Sequence, residues 1–222
     1  MKLSFVLDQA RAGELEQLSS KSKTDRVIVA YINLALIALH NRFVLDSDEA
    51  IITLRDGKSV YNLDGTDADV SLPANDPTGE AIQSIIYGYE ENGTPIAIND
   101  SADPYAIQVI NYNTIQVPIA GEHSFVSVIY SKSATTIPDL GYDIDGMFTT
   151  VPNYDIEIPK ALIEPLLHYI GYRAHGSRNG DIKAENNTHL MRFKASCDEI
   201  ERLGVVTSTD NGYNSVQSKG YA

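Results

Sequence analysis

The chain has 222 residues, 43% of them hydrophobic, one cysteine and a formal net charge of −13. That length and apolar content suffice for a buried core, and the lone Cys197 excludes an internal disulfide framework. No run reaches the roughly 20 apolar residues of a membrane span, and Asp8, Arg11 and Glu14 fall where a signal peptide would be apolar, so an intracellular protein with no membrane attachment is expected.

Residues 3–18 place Leu3, Val6, Leu7, Ala10, Leu15 and Leu18 at helical spacing, with Gly13 as a weak point, and predict a short amphipathic helix. Thr24-Asp25 then reads as the cap of a second helix, RVIVAYINLALIALHNRF. Its apolar run from Val27 to Leu39 is broken only by Asn33 and covers every face, so this helix is expected to be central and buried.

From Glu49 the period changes. AIITLRDGKSVYNLDG predicts two strands around the Asp56-Gly57 turn, and SIIYGYEENGTPIAI predicts a second pair around Glu91-Asn92-Gly93. AIQVINYNTIQVPI and HSFVSVIYS continue the alternation, for about six strands between residues 49 and 131, with Pro73, Pro77, Pro95 and Pro104 in turns or at edges. Residues 44–110 hold thirteen Asp and Glu against Arg55 and Lys58, a net charge of −11, whereas residues 155–203 are mixed and close to neutral. With no basic stripe to neutralise phosphates, nucleic acid is not expected as a specific ligand.

Residues 132–158 form a long connection, and Pro159 marks the return to helix. In PKALIEPLLHYIGYRAH, Leu162, Ile163, Leu166, Leu167 and Ile170 make one apolar face. Leu190, Phe193, Cys197, Ile200 and then Leu203 or Gly204 form a narrow seam on a further helix. The glycines between Gly176 and Gly180 predict the turn of an antiparallel helical hairpin. The polar remainder from Gly204, with isolated Val205, Val206, Tyr213, Val216 and Tyr221, predicts an extended tail. The expected fold class is α+β: a small helical bundle from residues 1–43 and 159–203, an inserted antiparallel β-rich module with its connection over 44–158, and an extended C-terminal arm over 204–222.

Candidate chemistry is sparse. A nucleophilic site would pair Cys197 or a serine with His168, His175 or His189 and with Glu164 or Glu185, but Cys197 falls on an apolar seam, where a buried thiol is ordinary. A metal centre would use His168, His175 and His189, yet the first two are seven apart, and neither His-Glu-x-x-His nor a cysteine cluster supports it. An enzyme predicts a pocket in which at least two of His168, His175, His189 and Cys197 converge. Asp143-Ile-Asp145-Gly146 and Asp64 to Asp69 lack the ligand frame of a calcium loop. Gly176-Ser-Arg-Asn-Gly180 follows no strand, as a phosphate loop would. The expectation is a non-enzymatic protein with no catalytic residue, no cofactor and no metal.

Pro159, Ala161, Leu162, Tyr169, Arg173, Glu185, Asn187, His189 and Phe193, set in the order helix, β insertion, helix pair, carry a resemblance to the head-to-tail adaptor proteins of tailed bacteriophages. The resemblance implies a structural virion protein of the neck, assembled in the host cytoplasm as a twelve-fold ring of itself beneath the portal protein. It implies a channel through which DNA passes without being specifically bound, and a platform for tail nozzle or fibre proteins. The arm would dock on the portal through Val205, Val206, Tyr213, Val216 and Tyr221, and Arg173, Arg178, Glu185 and His189 would make contacts between neighbouring subunits. The alternatives are a tail or fibre-attachment accessory with a binding β module, suggested by Tyr87, Tyr89, Tyr105, Tyr112 and Tyr130, and a small enzyme.

Overall fold

A computed structural model describes residues 1–118, 124–150, 152–176 and 183–209, with side chains described for all of these except 21, 22 and 183–187. The fold is α+β, with helices at both ends of the chain and two antiparallel sheets between them. It divides into two compact units: residues 1–41 with 134–206, and residues 42–133 with the segment that starts at Thr207.

In the helical unit, α1 (Leu3–Ala12) buries Leu3, Val6, Leu7 and Ala10, one stripe at helical spacing, and ends where the Gly13 N–H donates to the Gln9 carbonyl at 3.0 Å. Leu15 and Leu18, just beyond it, are buried as well. α2 (Asp25–Arg42) buries Ile28, Val29, Ile32, Ala35, Leu36 and Leu39. The expectation of burial on every face is corrected here, because Ala30 and Ile37, two turns apart, lie on an exposed face.

Asn33, the polar break in that run, has a definite task. Its side-chain amide donates to the Ile137 carbonyl at 3.0 Å and its oxygen accepts from the Ile137 N–H at 2.8 Å, so it pairs with the long connection as a strand would. Asp25 does similar work at the start of α2: it pairs with Arg11 and accepts from the Phe148 N–H at 2.8 Å. Further along, the connection bridges Asp155 to Lys2, and the Ile156 N–H donates to the Met1 carbonyl at 2.7 Å.

The chain returns through a 3₁₀ turn over Lys160–Leu162 into α3 (Ile163–Gly176), so Pro165 sits in the first α-helical turn, where its missing N–H costs nothing. α4 (Lys183–Leu203) packs along α3. Phe193, Cys197 and Ile200 form its buried seam, and Leu203, at its end, is exposed. Both helices join the N-terminal ones, α3 packing on α1.

The second unit contains eight strands among the described residues. β1 (Ser47–Thr53), β3 (Val70–Ser71), β4 (Ile82–Glu90), β5 (Pro95–Ile96) and β8 (Phe125–Lys132) form a sheet in the order β3-β1-β8-β4-β5. β2 (Val60–Asn62), β6 (Gln108–Asn111) and β7 (Thr114–Gln116) form the other, in the order β2-β7-β6. One core joins them, containing Ala50, Ile52, Tyr61, Ile115, Val126, Val128 and Tyr130. The Asn92-Gly93 turn connects β4 to β5 as expected, with Gly93 at φ 84° and Pro95 on the edge strand. The hairpin expected around Asp56-Gly57 is corrected: Gly57 does turn the chain, at φ 78°, but β1 pairs with β8 and β3 while β2 pairs with β7 in the other sheet.

Candidate functional site

The residues with most chemical capacity in the helical unit gather around Glu14. Three positions on α3, His168, Gly171 and His175, are three and four residues apart and so share one face. His189 lies on α4, and Glu14 lies in the turn that follows α1.

Both oxygens of the Glu14 carboxylate are engaged. Oε1 lies 3.0 Å from His168 Nδ1 and Oε2 lies 2.8 Å from His189 Nδ1. The Glu14 backbone carbonyl meets His175 Nε2 at 3.0 Å. The His175 and His189 rings stack at 4.8 Å between centroids and 18° between planes, and Glu164 Oε1 stands 3.4 Å from His168 Nε2. The Glu14, His168 and His189 side chains are only 17%, 14% and 13% exposed. Gly171 makes the approach possible: a Cβ there would fall 2.8 Å from His189 Nδ1 and 3.0 Å from Glu14 Oε2.

Burial pushes the His189 imidazole below its ordinary pKa; Glu14 opposes this, while His175, Arg192 and His168 add to it. His189 is therefore held toward its neutral form. A cavity of about 390 Å³ opens beside the group, lined by Gly13, Glu14, His175, Thr188, His189 and Arg192 among others. The convergence that an enzyme would require is met by the histidines; Cys197 is fully buried on the α4 seam, as its spacing predicts.

The other sequence-predicted residues are dispersed. Arg173 is exposed on α3, Val205 is exposed and Val206 is half-buried. His189 is turned inward to Glu14. Arg178, the Glu185 side chain, Tyr213, Val216 and Tyr221 lie outside the described residues. In the second unit, the Val44 N–H donates to the Thr207 carbonyl and the Thr209 N–H to that of Arg42, both at 2.9 Å. The two calcium-like runs are occupied with their own turns. Asp143 accepts from the N–H groups of Asp145 and Met147, and Asp64 from the N–H and hydroxyl of Thr66.

Glu14 and Gly171 escaped sequence reasoning. Glu14 is more than 150 residues from His168, and nothing local distinguishes it from a solvated glutamate; Gly171 resembles any helix-weakening glycine. The only available signal was the i, i+3, i+7 alignment of His168, Gly171 and His175. No family model matches the chain, and no curated protein matches it.

Proposed function

We propose that the chain is a structural head-to-tail adaptor that assembles as a closed ring of about twelve copies under a phage portal, with a small helical bundle as its assembly element. The observation that carries this reading is the role of the motif residues. Tyr169 on α3 and Phe193 on α4 meet edge to face at 5.0 Å, and Leu162 is fully buried at the entry to α3. These residues of the pattern that resembles the adaptors therefore act in packing the helix pair, which supports a structural role. Arg173 is exposed on that pair and is the residue assigned to the contact between neighbours. Such a contact is heterologous and closes only by rotation, which fits a ring.

The test is native mass measurement of the full chain, alone and with a purified portal ring. A discrete oligomer near twelve copies, or its appearance on the portal, is expected; a chain that stays monomeric in both mixtures would overturn the reading. Removal of residues 210–222 tests the arm separately. That cut spares the bonds made by Thr207 and Thr209, so the fold should persist while portal docking is lost. Undiminished docking would remove the arm assignment and leave the ring.

One observation favours the second reading, a tail or fibre-attachment accessory. Tyr105, Ile110 and Tyr112 are 70%, 55% and 63% exposed on the β unit, apolar surface suited to a protein partner, whereas Tyr130, also named for this reading, is buried in the core. Replacing both tyrosines with serine should abolish fibre or nozzle attachment on this reading and leave ring formation untouched.

A further inference from the structure

We propose that Glu14, His168 and His189 form a binding site for one divalent transition-metal ion of the zinc class. Two imidazoles and a carboxylate are a donor set that zinc accepts, with water completing the coordination. One ligand atom from each residue lies within 4.8 Å of the others. Tetrahedral ligands about 2.0–2.1 Å from a zinc ion lie ~3.3 Å apart, so the 3.0 and 2.8 Å contacts between the two Nδ1 atoms and the carboxylate oxygens need open only slightly to admit one.

The second observation concerns His189. Its Nδ1 is buried and stands beside Glu14 Oε2, yet among the described residues it makes no hydrogen bond. The contact has the proximity of an ion pair without the direction of a proton bridge. A cation held jointly by this nitrogen and the carboxylate would satisfy both groups.

The surroundings have the parts of an outer shell. Glu164 faces the far nitrogen of His168, the position from which a carboxylate orients a ligating imidazole. His175 stacks on the His189 ring and is itself held by the Glu14 backbone carbonyl. Gly171 leaves room at the centre, and the adjacent cavity admits water for the remaining positions. Because the three ligands come from the turn after α1, from α3 and from α4, the ion would fasten three elements of the helical unit together. The inference does not depend on the ring reading.

The experiment uses the full chain, stripped with a chelator and titrated with Zn²⁺ by calorimetry and with Co²⁺ by visible absorption. One ion per chain is expected, with Co²⁺ ligand-field bands of a nitrogen–oxygen site. Glu14→Gln and His189→Ala should each weaken binding more than about 10-fold, with far-UV circular dichroism confirming the helices. Glu164→Gln alters a side chain that is 74% exposed, so it carries little folding risk, and should weaken binding about 10-fold through His168. Absence of stoichiometric binding by the unaltered chain would overturn the proposal, as would equal binding by the unaltered chain and Glu164→Gln.

Discussion

Gly171→Ala sets two effects against each other at the centre of the histidine group. Alanine in a helix interior is favoured over glycine by about 1 kcal/mol, so on propensity alone α3 should gain stability. The new Cβ, however, would meet His189 Nδ1 at 2.8 Å, His189 Cε1 at 3.1 Å and Glu14 Oε2 at 3.0 Å. The ring must move, and its contact with Glu14 is lost. Overpacking costs about 1–3 kcal/mol, and the displaced ring also gives up its polar contact with Glu14. The steric and polar losses win, for a net destabilisation of about 1–2 kcal/mol in urea unfolding. In a His189→Ala background the nearest remaining neighbour is the mobile end of Glu14, so the same substitution should become neutral or stabilise by up to about 1 kcal/mol. The sign reversal is the diagnostic, a coupling of about 2 kcal/mol between positions on different helices. If Gly171→Ala stabilises the unaltered chain, or costs the same in both backgrounds, the packing described around Glu14 is wrong.

Asn33→Ala removes both bonds to Ile137 and leaves a carbonyl and an N–H unpaired, so unfolding free energy should fall by about 1–3 kcal/mol; a change under about 0.5 kcal/mol would show that the connection is held by other contacts. The β unit should be acid-labile. Hydrogen bonds from Arg55 and Lys58 lower the pKa of Asp69, while for Asp67 burial pushes upward but Lys58 and the N–H groups of Asp69 and Asn62 outweigh it. Both folded carboxyls lie below their ordinary value, so their stabilisation is complete above about pH 4 and is lost as pH falls through the lowered folded values. Lys58→Met should flatten that acid limb in thermal melts; an unchanged limb would show that the network does not set it. Tyr130→Phe should leave stability unchanged or raise it by about 1 kcal/mol, because its hydroxyl is buried without a hydrogen-bond partner among the described residues and burial holds its pKa high. A loss above 1 kcal/mol would mean that the hydroxyl is satisfied.

Elements whose pattern is local were legible in the sequence. The stripe Leu3, Val6, Leu7, Ala10 and the seam Phe193, Cys197, Ile200 bury as their spacing requires, and Asn92-Gly93 turns between paired strands, with Gly93 supplying the positive φ. What escaped was pairing at a distance. The Asp56-Gly57 turn carries the same local signal, yet β1 satisfies its hydrogen bonds with β8, more than 70 residues away, because both flank the common core. The candidate site failed for the same reason. The seven-residue interval between His168 and His175 aligns them on one face of α3, and the carboxylate between His168 and His189 comes from the other end of the chain. A spacing rule sees side chains on one element, and here Glu14, His168 and His189 come from three.

The charge division constrains how copies of this chain could meet. Within residues 44–133 Arg55 and Lys58 are paired to Asp67 and Asp69, and Lys132 lies 3.2 and 3.7 Å from Asp46 and Asp48. These cations are turned to acids of the same unit, so a neighbouring β unit would meet a surface dominated by its own sign. Such repulsion acts over roughly 8 Å at physiological salt, enough to oppose side-by-side contact of acidic surfaces. The exposed side of α4 differs, carrying Arg192, Lys194, Asp198, Glu199 and Arg202 close together, with Glu199 and Arg202 already paired at 2.6 Å. A surface of both signs can face its own copy at modest cost. On the ring reading, lateral contacts therefore belong to the helical unit, and like charge holds the β units of adjacent subunits apart.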